Sequence, residues 1–300
     1  RAFVLYNSLS RWGWLEAPHV PAETLAAIEM VPGDIRDARR VREAVAGCDV
    51  VFHLASLIAI PYSYVAPESY VQTNVGGALN VLEACRDTGV ARLVHTSTSE
   101  VYGTARRVPI DEAHPLQAQS PYSASKIGAD ALAYSYFSSF SVPVVTVRPF
   151  NTYGPRQSAR AVIPTILGQL LAGATRLKLG ALSPTRDLNF VADTVDGFVR
   201  LAACDAAVGQ VVNVGSGTEI SIGDLARLAC EVTGRPATIE TDETRLRPGG
   251  SEVERLCCDA TRARDLAGWS SRVDLREGLT RTAAWLSGNL ELYKTGPYNV

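Results

Sequence analysis

The stretch Arg92-Leu93-Val94-His95-Thr96-Ser97-Thr98-Ser99-Glu100-Val101-Tyr102-Gly103, read with Tyr122-Ser123-Ala124-Ser125-Lys126 further on, decides the fold of this chain. Its first five residues form a mostly apolar run of strand length, and polar residues follow at once. Ligands of open α/β sheets sit beyond the carboxyl ends of the parallel strands, so Thr98, Ser99 and Glu100 fall where such a sheet would present them. Tyr122 and Lys126 stand four residues apart, which places them on one face of a helix. An ammonium near a phenol favours the phenolate and lowers the tyrosine pKa from about 10, so the phenol can take a proton from a hydroxyl. With 11 tyrosines and three lysines in 300 residues, about 0.1 such pairs would arise by chance.

Working outward, apolar runs of four to six residues alternate with longer stretches of helical spacing, separated by Gly, Pro, Asp and Asn. Strands are predicted at 2–6, 27–31, 50–54, 92–96 and 144–147, and helices at 38–46, 71–88 and 122–137. Several strands are apolar throughout, as when helices cover both faces of a parallel sheet. After Arg148 the texture changes. Pro149, Gly154 and Pro155 come close together, then an apolar helix at 162–171 and shorter elements, while 189–203 and 210–214 return to helix and strand character. The expected architecture is a Rossmann-type doubly wound parallel α/β sheet with a smaller interleaved α/β substrate domain. Residues 1–150 plus about 184–214 would bind the cofactor, and about 151–183 plus 215–300 the substrate.

Composition removes several function classes. The chain is 46% apolar and 20% charged, within the range of ordinary globular proteins. Its most apolar stretch, residues 50–61, is too short to span a bilayer and contains His53, so no membrane association is expected. The 29 basic and 31 acidic residues give a net charge of −2 without a basic tract, which leaves nucleic-acid binding without electrostatic support. Six cysteines without zinc spacing read as buried free thiols of a reducing cytoplasm, and His19, His53, His95 and His114 read as structural, with no metal site.

A strand-end hydroxyl followed by Tyr-x-x-x-Lys on the next helix resembles the extended short-chain dehydrogenase/reductases that act on nucleotide sugars. The resemblance runs through Gly33-Asp34-Ile35, Leu54-Ala55, Thr73-Asn74-Val75-Gly76, Thr98 to Gly103, Arg148 to Arg156, Thr185-Arg186-Asp187, Asn213-Val214-Gly215 and Arg247-Pro248. Tyr6-Asn7-Ser8 with Trp12-Gly13-Trp14-Leu15, Ile58 to Tyr64 and Gln157 to Pro164 look most like the NAD-dependent 4,6-dehydratases of the legionaminic-acid type, which act on UDP-N-acetylglucosamine or its GDP counterpart.

The resemblance implies that Tyr122, assisted by Lys126 and Thr98, takes the proton of the sugar 4-hydroxyl while NAD accepts the C4 hydride. Glu100 would then remove the C5 proton made acidic by the ketone, and water would leave from C6. In dTDP-glucose 4,6-dehydratases an Asp stands where this chain has Ser99, and it protonates the leaving hydroxyl. GDP-mannose 4,6-dehydratases share Thr-Ser-Glu, which points to Glu100 as that acid here. UDP-glucuronate decarboxylases resemble the same triplet, and 4-epimerases need no carboxylate at position 100. Both remain open, as does a non-catalytic NAD-binding scaffold. Asn7, Ser8, Asp34, Ile35, Leu54, Ala55 and Asn74, with Tyr122 and Lys126, would hold NAD. Asn151, Val162, Arg186 and Arg247 would hold the nucleotide sugar, the arginines through bidentate contacts to its diphosphate. Relatives commonly form homodimers through the helices at 71–88 and 122–137. A family member would begin with a strand, a Gly-x-x-Gly-x-x-Gly turn and a helix, about 25 to 30 residues in all. Arg1 opens on a pattern that matches the second strand instead, so the first strand is expected to be missing from this chain, and weak NAD binding by these 300 residues follows.

Overall fold

In the computed structural model, which describes residues 1–16 and 20–293, the strands are β1 (Ala2–Leu5), β2 (Met30–Gly33), β3 (Val50–His53), β4 (Arg92–Thr96), β5 (Val144–Pro149), β6 (Asn151–Tyr153), β7 (Arg176–Leu179), β8 (Thr185–Phe190), β9 (Val211–Val214), β10 (Glu219–Ser221) and β11 (Thr238–Thr241). His19 lies outside the described residues.

Strands β3, β4, β5 and β9 form one parallel sheet in that order. Because successive side chains point to opposite faces, the apolar runs fill two cores at once. Leu93 and Val144 pack with Val81, Leu82 and Cys85 of the Gly77–Thr88 helix and with Ala133 and Tyr136 of the Pro121–Phe140 helix. Their neighbours Val94 and Val145 face the other way, onto Phe198 and Leu201 of the Val191–Ala202 helix and onto Trp269. Helices on both faces make this the doubly wound α/β arrangement.

A second core lies beyond β5. Strands β10, β8 and β6 form a mixed sheet and β11 pairs with β7. Leu188, Phe190 and Tyr153 pack there with Ile163, Ile166, Leu167 and Leu170 of the Val162–Leu171 helix and with Leu225, Leu279 and Leu286. Sheet membership alternates along the chain: β8 belongs to the smaller sheet, whereas the Val191–Ala202 helix and β9 return to the larger one.

Some expectations shift. The second strand is Met30–Gly33 rather than 27–31, because the Ala22–Ala26 helix runs into Ala27, whose N–H bonds the Glu23 carbonyl. The predicted helix at 71–88 begins as a π-helix, Val71–Gly76, before Gly77–Thr88. Among the described residues β1 pairs only with β2, and β3 only with β4, so the parallel sheet is in two pieces. Leu5 and Leu54, at the carboxyl ends of β1 and β3, are 69% and 64% exposed.

Candidate active site

The end of β4 builds the site. Ser97 donates its backbone N–H to the Val147 carbonyl at 2.7 Å, and the chain then turns through the 3₁₀ segment Ser99–Tyr102. Thr98 caps that turn, its hydroxyl accepting the Glu100 N–H at 3.2 Å. Gly103 ends it at φ +63°, and a Cβ there would lie 2.7 Å from the Gln117 carbonyl oxygen, so glycine is needed for conformation and for space. The Pro121–Phe140 helix starts opposite. Ser120 and Ser123 exchange side-chain to backbone hydrogen bonds in a capping box, and Pro121 takes the first helical position.

These two elements bring Thr98, Ser99, Glu100, Tyr122 and Lys126 together, all buried. The Tyr122 hydroxyl is near that of Thr98, which favours the phenolate. Burial raises the phenol above its ordinary pKa, the Thr98 hydroxyl works against that rise, and the charges of Glu100, Tyr70 and Asp130 add to it. Tyr122 therefore holds its proton at neutral pH, and positive charge brought beside it would convert it toward a base. Tyr70 meets the Tyr122 ring edge-on at 6.2 Å. Lys126 Nζ donates to the Thr96 carbonyl at 2.6 Å, which docks the lysine on β4 while Thr98 stands near the phenol. Desolvation brings the ammonium down to about 8. The cluster can thus offer a hydroxyl relay, a phenol, a tunable ammonium and a carboxylate to one small molecule.

The residues assigned to the cofactor are arranged less uniformly. Asn7 closes its own loop, accepting the Leu9 and Arg11 N–H groups and donating to the Arg11 carbonyl, and Ser8 beside it is exposed. Asp34 grips Arg36 through side chain and backbone, and the guanidinium holds this carboxyl below its usual range. Ile35 packs so tightly on Gly77 that a Cβ there would lie 2.9 Å away. Leu54 and Ala55 are exposed just past β3. Asn74 uses its whole amide inside the protein, on Ser56, both backbone groups of Leu57, and Ser125, so it fastens the loop after β3. The residues present fit a dinucleotide: exposed apolar side chains stand at the strand ends, and the buried Thr96 hydroxyl has no hydrogen-bond partner in the protein.

On the other side, Asn151 in β6 keeps a buried side-chain oxygen without a partner, and Val162 opens its helix with its side chain against the second core. Arg186 and Arg247 converge on one carboxylate, Glu252, at 3.0 and 3.4 Å. Sequence pattern did not single out Glu252, since nothing local ties it to arginines 66 and five residues away. It follows Ser251, whose hydroxyl is 2.5 Å from that of Tyr64, so the 58–64 segment and the arginine cluster are joined.

All six cysteines are free. No helix among the described residues is long and apolar enough to cross a membrane.

The sequence pattern of the family described as GDP-mannose 4,6 dehydratase matches residues 2–282. A UDP-glucose 4-epimerase of Mycolicibacterium smegmatis is 36% identical over 266 residues, covering 87% of this chain and 83% of that protein. A dTDP-glucose 4,6-dehydratase of Streptomyces antibioticus is 35% identical over 263 residues, covering 88% and 77%. Among solved structures, a dTDP-glucose 4,6-dehydratase of Streptomyces venezuelae with NAD bound superposes with a TM-score of 0.82 at 28% identity, covering 91% of this chain and 86% of that one.

Proposed function

Because the chain belongs to the GDP-mannose 4,6-dehydratase family of nucleotide-sugar dehydratases and epimerases, we propose that it is an NAD-dependent nucleotide-sugar 4,6-dehydratase, with UDP-N-acetylglucosamine as substrate and a 4-keto-6-deoxy sugar as product. The observation that carries this reading is the buried Glu100, delivered by a capped turn to within electrostatic reach of Tyr122. Oxidation and re-reduction at C4 alone would not require that carboxylate.

Bound NAD would supply the hydride acceptor for C4 and the hydride donor for C6. Tyr122, with Thr98 relaying, takes the proton of the 4-hydroxyl. Lys126 holds positive charge next to the β4 end and so favours that transfer. Glu100 removes the C5 proton and passes a proton to the 6-hydroxyl as it leaves as water, the role that Ser99 cannot fill, and once the hydride is on C6 a proton returns to C5, balanced by the one Tyr122 took from the 4-hydroxyl. Asn151, Arg186 and Arg247, with the Val162 helix start, would hold the nucleotide sugar, and Asn7, Ser8, Asp34, Ile35, Leu54 and Ala55 would line the cofactor side, beside the loop that Asn74 fastens. The free cysteines suit a reducing cytoplasm, and a homodimer through the 71–88 and 121–140 helices fits the same reading.

The test is incubation of the protein with UDP-N-acetylglucosamine and NAD, followed by NMR of the sugar. A new 6-methyl signal with a 4-keto carbon is expected. An unchanged sugar, or carbon dioxide released from a UDP-uronic acid, would overturn it. A 4-epimerase is the second reading, favoured by the Mycolicibacterium relative. Its product would keep the 6-hydroxyl.

A further inference from the structure

Tyr122, Lys126 and Asp130 fall at four-residue intervals and so lie along one face of the Pro121–Phe140 helix. The first two belong to the catalytic reading, whereas the third is 7% exposed and has no place in it. Its carboxylate is held from two strands. Ser97 donates to it at 2.7 Å and Arg148 at 3.0 and 3.2 Å, while His95 Nε2 stands 3.2 Å away. The chain of contacts continues on both sides. His53 Nδ1 lies 3.3 Å from His95 Nδ1, and Arg148 donates to the Tyr102 hydroxyl, which donates in turn to Asn213.

The charge balance of this cluster is uneven. Burial holds His53 and His95 below their ordinary pKa, hence neutral at physiological pH. Tyr102 is pushed up to about 12 by burial, hence neutral as well. Arg148 cannot give up its proton. Arg148 pairs directly with the Asp130 carboxylate, and Lys126, one helical turn before it and docked on the Thr96 carbonyl, feels the same negative charge through space, while Glu100 lies toward Tyr122. Lys126 is the only group of the set that can yield, since its ammonium already sits at about 8 and the charge of Asp130 opposes a further fall.

We propose that Asp130 is the counter-ion of Lys126 and a positioning residue of the active site, which keeps the lysine charged so that the Tyr122 phenol can act. This rests on the dehydratase reading for its consequence in catalysis, but not for the electrostatic coupling itself. The carboxylate is locked by β4 and β5, so the charge state of the site depends on the sheet beneath it.

The chain has only three lysines, Lys126, Lys178 and Lys294, so lysine labelled with carbon-13 at Cε gives three NMR signals, assignable with Lys178→Arg and Lys294→Arg. In the unaltered protein the Lys126 signal is expected to titrate near 8. In Asp130→Asn its midpoint is expected to fall by about one unit or more, and in Asp130→Glu to stay in place. An unchanged midpoint in Asp130→Asn overturns the proposal. Should that variant not fold, Arg148→Gln, which removes the cation competing for Asp130 while Ser97 and His95 still hold the carboxylate, is expected to raise the midpoint, and an unchanged or lower value counts against the pairing. Where turnover is present, the alkaline limb of the kcat profile is expected to move down in Asp130→Asn and to be restored in Asp130→Glu. A purely structural role would lower kcat at every pH without moving that limb. Absence of dehydration with the titration intact would remove the function while leaving the pairing.

Discussion

The Thr98 hydroxyl accepts the Glu100 amide proton at 3.2 Å, and the same hydroxyl stands near the Tyr122 phenol and favours its ionised form. One side chain thereby sets the turn that carries the carboxylate and the environment of the proposed acid–base group. Thr98→Val removes both. The lost cap is expected to cost about 1 kcal/mol in stability. Without the interaction that opposes its rise, Tyr122 titrates higher, so the acid limb of the kcat profile is expected to move up in pH and kcat at neutral pH to fall about tenfold or more. A profile with its acid limb in place would show that Thr98 is only a cap.

Glu100→Gln preserves the shape of the turn and removes the base. Dehydration is expected to fall by about three orders of magnitude or more, while oxidation at C4 continues. Reduced cofactor absorbance at 340 nm should therefore build up during incubation with the nucleotide sugar. Full dehydratase activity in this variant would assign the C5 proton to another residue.

Arg186 and Arg247 share Glu252, and their forks are the groups expected on the diphosphate. Replacing Arg247 by Lys keeps the charge and loses the bidentate geometry. KM for the nucleotide sugar is expected to rise about tenfold with kcat within about twofold, the pattern of a lost uniform binding contact. A fall in kcat at unchanged KM would place Arg247 at the reacting end of the sugar.

The Lys126 ammonium is brought down to about 8 in the folded protein from an ordinary value of 10.5. Between those two values the unfolded chain binds the proton and the folded chain does not, so this group makes the folded state more stable as pH rises from about 8 to 10.5 and contributes no slope below that window. Denaturant unfolding of the unaltered protein and of Lys126→Met across this range is expected to show their stability difference changing by about 3 kcal/mol in favour of the lysine form. Parallel curves would mean that Lys126 is hydrated.

Asp187 is fully buried and accepts the N–H groups of Ser216, Gly217 and Cys258 and the Ser216 hydroxyl, stitching β8 to the segments after β9. Asp187→Asn points an amide N–H at donors. A loss of about 3 kcal/mol in unfolding free energy is expected, and a stability within about 0.5 kcal/mol of the original would show that the site rearranges cheaply.

Much of this protein was legible in sequence because its signals are local. The apolar runs at β3, β4 and β5 alternate faces by the pleat alone, and Tyr122 and Lys126 share a face by the helical period alone. The same period also reaches Asp130, so that signal was present in the pattern before its partners were known. The short strands β6, β7, β8, β10 and β11 gave no comparable signal, because they are three to six residues long and mix polar with apolar side chains. Sequence by itself determined the α/β rhythm, the Tyr–Lys helix face and the strand-end hydroxyls. Tertiary structure alone decided that Glu252 draws Arg186 and Arg247 together, that Lys126 docks on the Thr96 carbonyl, and that β4 and β5 lock the Asp130 carboxylate. The physical reason is range: backbone period fixes which neighbours along an element share a face, whereas a buried charge takes its partners from whichever strands the packed sheet sets beside it.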